Sequence, residues 1–145
     1  MPGGWTYYPA STLPALYDIV WCHFPEHHAL DQPSPKGRPA LIVKTATEDN
    51  DEKPQIRAVY GTSNLKIGKR PLDFYVRGKL AELDICGLFQ TTRFDLDRRL
   101  WVPWAEEFFA CPSPDYQTPV MGHLSPNAMK RLINVVIARH NKGLD

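Results

Sequence analysis

The sequence predicts a mainly β domain: a small, curled antiparallel sheet closed by a C-terminal helix. Three observations point there. Fourteen prolines are spread along 145 residues, which disfavours long helices and suits short strands joined by turns. Short apolar, β-branched and aromatic runs recur between them. Only the segment near the C-terminus carries a sustained helical period.

Each element follows in order. Tyr17 to Phe24 is apolar, aromatic and β-branched, a strand ended by Pro25. Residues 25–37 hold three prolines, the adjacent His27 and His28 and no apolar period, so they form a long loop. Pro39 to Thr45 is apolar on both faces and reads as a central strand. Glu48 to Glu52 packs four acids into five residues, an exposed turn. Gln55 to Tyr60 alternates, so residues 39–60 form a hairpin.

Gly61-Thr62-Ser63-Asn64 is expected to break the third strand, and Leu65 to Pro71 to be a basic loop turning at Gly68. Leu72 to Val76 and Leu83 to Phe89 are expected as the fourth and fifth strands, and Arg93 to Val102 as the sixth. Trp104 to Phe109 reads as a short helix and residues 111–118 as loop. Ser125 is an N-cap with Pro126 at the first helical position. Met129, Leu132, Ile133, Val136 and Ile137 then lie on one apolar stripe. Lys130 and Arg131 face out, and Gly143 is the stop.

Composition narrows the function classes. Apolar residues are 43% and charged residues 23%, the proportions of a globular chain. A chain of this length reads as one domain, residues 1–145, able to build its core without a disulfide or metal staple. No apolar run is long enough to cross a membrane. The opening MPGGWTYYPA lacks the basic and apolar regions of a signal peptide, so the expected location is cytoplasmic, with no membrane partner. Cys22, Cys86 and Cys111 show no CxxC spacing, which argues against a zinc knuckle. Cys22 and Cys86 read as small buried hydrophobes.

Net charge is +1, so the chain as a whole is not a basic nucleic-acid binder. Its distribution is uneven. No Lys or Arg precedes Lys36, whereas Lys66, Lys69, Arg70, Arg77 and Lys79 fall between Asn64 and Leu80 against the single acid Asp73. An anionic ligand would be steered there.

Three stretches occur in a telling order: Asp18-Ile-Val-Trp21, a polar loop and Gly37-Arg-Pro-Ala-Leu-Ile-Val43; a strand ending in Gly61-Thr-Ser-Asn64; and Gly87-Leu-Phe-Gln-Thr-Thr-Arg-Phe-Asp95, followed by Gly122-His-Leu-Ser-Pro126 and a helix. Together they resemble the PemK/MazF family of toxin ribonucleases over residues 17–95 and 118–141. The resemblance implies an SH3-like barrel of the MazF/CcdB type, with residues 1–16 as an N-terminal extension and 96–117 as an expanded loop region. It further implies a homodimer, an antitoxin partner, and cleavage of single-stranded RNA without a metal or other cofactor. In that chemistry the ribose 2′-OH attacks the phosphate, leaving a 2′,3′-cyclic phosphate and a 5′-OH.

Such a reaction needs a proton acceptor, a donor to the leaving oxygen and donors to the phosphorane oxygens. Arg38 offers a planar fork suited to phosphate, or else caps a surface carboxylate. Thr62 and Ser63 bring hydroxyls and backbone N–H groups to a turn, where such residues also occur for turn chemistry alone. Asn64, Lys66, Lys69 and Arg70 follow as candidate RNA contacts. In the family a Glu-Gln pair precedes Arg-Pro; here Asp31-Gln32 stands in a similar place, and His27 and His28 share that loop as candidate acid–base groups. Where relatives carry an Arg and an Asp just before the third motif's Gln, this chain has Gly87 and Phe89, with Gln90 retained. Arg93 and Asp95 share one strand face, as a displaced catalytic pair or as a surface ion pair. Trp101, Trp104, Phe108 and Phe109, in a proline-rich segment, add to the expectation of a dimer interface. The competing reading is a barrel without catalysis, acting as a CcdB-like inhibitor of a protein, as an RNA binder, or in regulatory assembly with a partner.

Overall fold

In the computed structural model, which describes residues 4–47, 53–66, 72–77 and 80–145, six strands form one curled antiparallel sheet. They are β1 (Asp18–Cys22), β2 (Arg38–Ala46), β3 (Gln55–Thr62), β4 (Phe74–Val76), β5 (Thr92–Pro103) and β6 (Val120–His123), in the spatial order β4-β5-β3-β2-β1-β6. Helix α1 (Leu80–Cys86) joins β4 to β5, and α2 (Pro126–Asn141) follows β6. The mainly β class with a C-terminal helix is as the proline spacing predicts. The acidic turn at 48–52, together with Gly68, Lys69, Arg70, Pro71 and Lys79, lies outside the described residues.

β2 is central and buried on both faces, because successive side chains of a strand point to opposite sides. Leu41 joins a core with Ile19, Val59, Phe94, Leu124 and Leu132 on the helix-bearing face. Ala40 and Ile42 join a second core with Val20, Ile56, Ala58, Val102 and Trp104 on the other. The 39–60 hairpin forms as expected, with Leu41 opposite Val59. Cys22 and Cys86 are buried, and burial pushes the Cys86 thiol up to about 11 and that of Cys22 further, so both stay protonated.

Six expectations are corrected. The third strand runs through Gly61 to Thr62. A Cβ on Gly61 would stand 2.4 Å from the Pro39 carbonyl oxygen, so this glycine marks close backbone approach and not a break. The expected fifth strand at 83–89 is instead the end of α1 and its cap. Leu83 and Cys86, three apart, face the first core, and Gly87 ends the helix with φ +70°. Leu88 N–H donates to Leu83 O at 2.9 Å and Gly87 N–H to Asp84 O at 3.1 Å, a Schellman termination.

Trp104 to Phe109 forms no helix. Its backbone is claimed by bridges from Ala105 to Tyr7 and from Phe109 to Cys22. Nor do its aromatics form an exposed surface: Trp104, Phe108 and Phe109 are fully buried, and only Trp101 is exposed. The N-terminal segment covers them. Tyr8 packs on Trp104 and Trp5 on Phe108, each with ring centroids 4.9 Å apart. The polar tips are satisfied, with Trp104 Nε1 donating to Thr12 Oγ1 at 3.1 Å and Tyr8 OH to Phe109 O at 2.8 Å. Of the region 96–117, the part up to Pro103 belongs to β5.

α2 starts as expected, with the Ser125 hydroxyl accepting from Ala128 N–H at 3.0 Å. It ends in a second Schellman motif at Gly143, whose φ is +74°. Its buried face is Ala128, Leu132 and Arg139; of the apolar stripe Leu132 is buried and Met129 packs on the core, but Ile133, Val136 and Ile137 are about half exposed. The Arg139 guanidinium explains that rotation. It is 1% exposed, donating to Asp145 Oδ2 at 2.7 Å, Asp97 Oδ1 at 2.6 Å and Leu72 O at 3.2 Å. The Arg139 hydrogen bond holds the Asp145 carboxyl below its ordinary 3.8.

That network has an acid signature. A depressed folded-state pKa contributes stability above the ordinary carboxylate value and loses it as pH falls through the folded value. Urea midpoints of the wild type should therefore fall on acidification below the ordinary 3.8 of Asp145 more steeply than those of Arg139→Met. At neutral pH Arg139→Met should cost about 2 kcal/mol, the loss of hydrogen bonds to a charged group, because the Asp97 carboxylate left behind is exposed. Parallel pH profiles of the two proteins would refute this.

Candidate functional site

The antiparallel order gathers three strand ends at one place. β2 begins at Arg38, β3 ends at Thr62 and β5 begins at Thr92. Between them lies a cleft of about 210 Å³ whose walls include Trp21, Arg38, Thr62, Ser63, Phe89 and Gln90. The cleft joins residues from all three stretches singled out in the sequence. Gly37 lets the indole of Trp21 lie against the backbone, since a Cβ there would stand 2.2 Å from Trp21 Nε1.

Arg38 is half buried, its guanidinium 5.4 Å from the centre of the Tyr60 ring. That cation–π contact fixes the fork beside the cleft. Thr62 is buried, and its Oγ1 accepts from Asn64 N–H at 3.1 Å, leaving the hydroxyl proton to donate. Ser63 is exposed beside it. Asn64 Oδ1 accepts from Lys66 N–H at 3.0 Å, so Asn64 acts in the turn and Lys66 is exposed just beyond it. Gln90 is exposed on the cleft wall, and Phe89, 73% exposed, presents an aromatic ring next to it.

A second cleft, of about 250 Å³, shares Lys36 and Arg38 with the first. His27, His28 and Glu26 line it from the long loop, Phe24 from just after β1, Tyr60 from β3 and Arg98 from β5. His28 Nε2 lies 3.4 Å from Glu26 Oε2. The loop is held by His23 Nδ1 against Ser34 O at 3.0 Å and by Ser34 Oγ donating to Lys36 O at 3.0 Å. The histidines thus border the cleft beyond Arg38, while no histidine or carboxylate lines the first cleft among the described residues.

Other sequence candidates lie apart. Asp31 and Gln32 are exposed on the loop and line neither cleft. Arg93 and Asp95 do share a strand face, opposite Thr62 and Tyr60, but Arg93 is buried and donates to Asp73 Oδ2 at 2.8 Å, with Asp95 Oδ2 at 3.8 Å. The pair is a structural ion cluster: a buried arginine must be compensated, and its guanidinium is turned to β4's flank instead of to a cleft. Among the described residues no three His, Cys, Asp or Glu side chains gather closely enough to hold a metal ion, and no helix is long and apolar enough to cross a membrane.

Gly87 now has a physical account. A Cβ there would stand 2.1 Å from the Met121 carbonyl oxygen, and φ is positive. No side chain, arginine included, fits at that position. Gly87→Ala should lower stability by at least about 2 kcal/mol from backbone strain and overpacking; an unchanged thermal midpoint would refute the clash. Sequence reasoning missed Tyr60 and Arg98 altogether. Arg98 sits in Asp95-Leu-Asp-Arg-Arg99, a charge run that has the look of a solvated face.

Comparison with the models of known protein families gives no match for this chain, and none of the curated proteins matches it.

Proposed function

We propose that this protein is an endoribonuclease of the toxin type, cutting single-stranded RNA without a metal by attack of the ribose 2′-OH. The observation that carries the reading is the convergence of Arg38, Thr62, Ser63 and Gln90 on one cleft beside an exposed aromatic ring. The 2′-oxygen bonds to phosphorus and the bond to the 5′-oxygen breaks, giving a cyclic phosphate and a 5′-OH. Arg38 and the Thr62 and Ser63 hydroxyls donate to the phosphorane oxygens as charge builds there. Phe89 stacks a neighbouring base, which any aromatic face can do. His27 or His28, across Arg38, takes the 2′-OH proton and returns it to the leaving oxygen. The reading carries with it an SH3-like barrel of the MazF type, a cytoplasmic setting, an antitoxin, and a homodimer. The exposed apolar area available for the dimer is on α2, at Ile133, Val136 and Ile137.

A second reading has its own observation. The first cleft holds a phosphate-binding fork without a carboxylate or histidine on its walls, which suits an RNA-binding module that does not cut. One experiment separates the two. Mixed-sequence RNA is incubated with purified protein in EDTA, and the ends are analysed. New 5′-OH and cyclic-phosphate ends support the nuclease; retention of intact RNA with no new ends supports the binding module; neither binding nor cleavage overturns both.

A further inference from the structure

We propose that the second cleft is a nucleotide subsite in which Arg98 presents its guanidinium plane to a nucleobase, next to the phosphate held at Arg38. The proposal rests on the RNA reading of the first cleft and extends it. Its starting point is a break in the β3–β5 ladder. Val59 pairs with Arg99 and Tyr60 with Asp95, so Leu96, Asp97 and Arg98 fall between two consecutive pairs. Bulges of this kind re-aim side chains and gather beside active sites.

This bulge is pinned at the residues just before Arg98. Asp97 N–H donates to Asp95 Oδ1 at 3.0 Å, and Asp97 Oδ1 accepts from the buried Arg139 at 2.6 Å. Leu96 is buried in the first core. Arg98 is thereby delivered to the opposite face. Its Cζ lies 4.0 Å from the centre of the Tyr60 ring, and its Nη2 donates to Pro25 O at 3.2 Å. An arginine held over an aromatic ring and tied at one nitrogen is a flat, oriented group, not a mobile charge.

The charge balance then points to an anion. Tyr60 carries two guanidinium groups, Arg38 at 5.4 Å and Arg98 at 4.0 Å, and Lys36 lines the same cleft. Glu26 is the one carboxylate on its walls among the described residues, set 3.4 Å from His28. Three permanent cations against one acid favour a negatively charged occupant. Guanidinium planes and aromatic rings are the surfaces on which unstacked RNA bases settle. A ligand both flat and anionic, adjoining a phosphate site, is the next nucleotide of the same strand.

The test is binding of a fluorescent eight-nucleotide single-stranded RNA to full-length wild type, Arg98→Ala and Arg98→Lys, over a salt series. Both variants should bind about tenfold or more weakly, the effect of losing one stacked base. Arg98→Ala alone should also flatten the salt dependence, by about 0.7 of a log unit of slope. Full recovery by Arg98→Lys would show that only charge matters and overturn the stacking role. Wild-type affinity in Arg98→Ala overturns the subsite while leaving the first cleft intact. No binding by the wild type overturns both. A ligand-side scan needs no variant: one abasic position moved along the RNA should weaken wild-type binding at two places, one for Phe89 and one for Arg98. A single sensitive position, or none, refutes the subsite.

Discussion

On the proposed ribonuclease reading, replacing Arg38 with alanine should lower the rate of RNA cleavage by about a hundredfold or more, the usual effect of removing one preorganised donor to a transition-state oxyanion. Arg38→Lys should recover little of that loss. Lysine keeps the charge but brings a compact, mobile ammonium in place of the planar fork held 5.4 Å from the Tyr60 ring centre. Circular dichroism and thermal midpoints should stay near wild type, because Arg38 opens β2 at its half-buried end and contributes nothing to either core. The informative comparison is single-turnover cleavage at saturating protein, which separates rate from binding. Cleavage by Arg38→Ala within a few-fold of wild type would remove this residue from the chemistry.

The largest expected effect on stability belongs to Trp104→Ala, about 3–5 kcal/mol. Trp104 is among the largest fully buried side chains. It touches Tyr8 on one side and Phe109 on the other, both at ring-centroid distances of 4.9 Å, and donates to Thr12. Its removal opens a cavity that the rigid β3 and β5 strands beneath cannot close. Denaturant unfolding followed by tryptophan fluorescence and by far-UV dichroism should show the same loss by both probes. A loss under about 1 kcal/mol would mean that the second core contributes far less than its burial implies.

The sequence made some of this legible and hid the rest for identifiable reasons. β2 was readable because Ala40, Leu41 and Ile42 are apolar on both strand faces. The N-cap of α2 was readable because Ser125-Pro126 acts locally. Its orientation was not, because the residue that decides it is a buried Arg139, two of whose partners, Asp97 and Leu72, lie far away in sequence. Leu83 to Phe89 alternates well enough to imitate a strand, and only contact with Met121 shows why Gly87 must end a helix. The aromatic segment at 104–109 looked surplus because its covering, Trp5 and Tyr8, comes from the other end of the chain. Arg38, Thr62, Ser63 and Gln90, singled out through the motifs of the resemblance, do line one cleft. Arg98 was hidden because a three-residue irregularity in a ladder leaves no mark in a run of alternating charges.

The covering of the second core by the N-terminal segment also sets an order of events during folding. Thr6 and Glu107 are tied by bonds spanning 101 residues, as are Tyr8 and Phe109. Closing a loop of that length costs about 4 kcal/mol of chain entropy before any contact repays it. The hairpin of β2 and β3 closes a far shorter loop and has no such handicap. On the ribosome, residues 4–16 emerge early yet have nothing to pack against until the 104–109 segment has followed them out. The β2–β3 hairpin should therefore form with one apolar side open, before the N-terminal strap can close over it. Chaperone contact or aggregation during synthesis should concentrate on that side, and a fragment lacking residues 4–16 would keep it permanently uncovered.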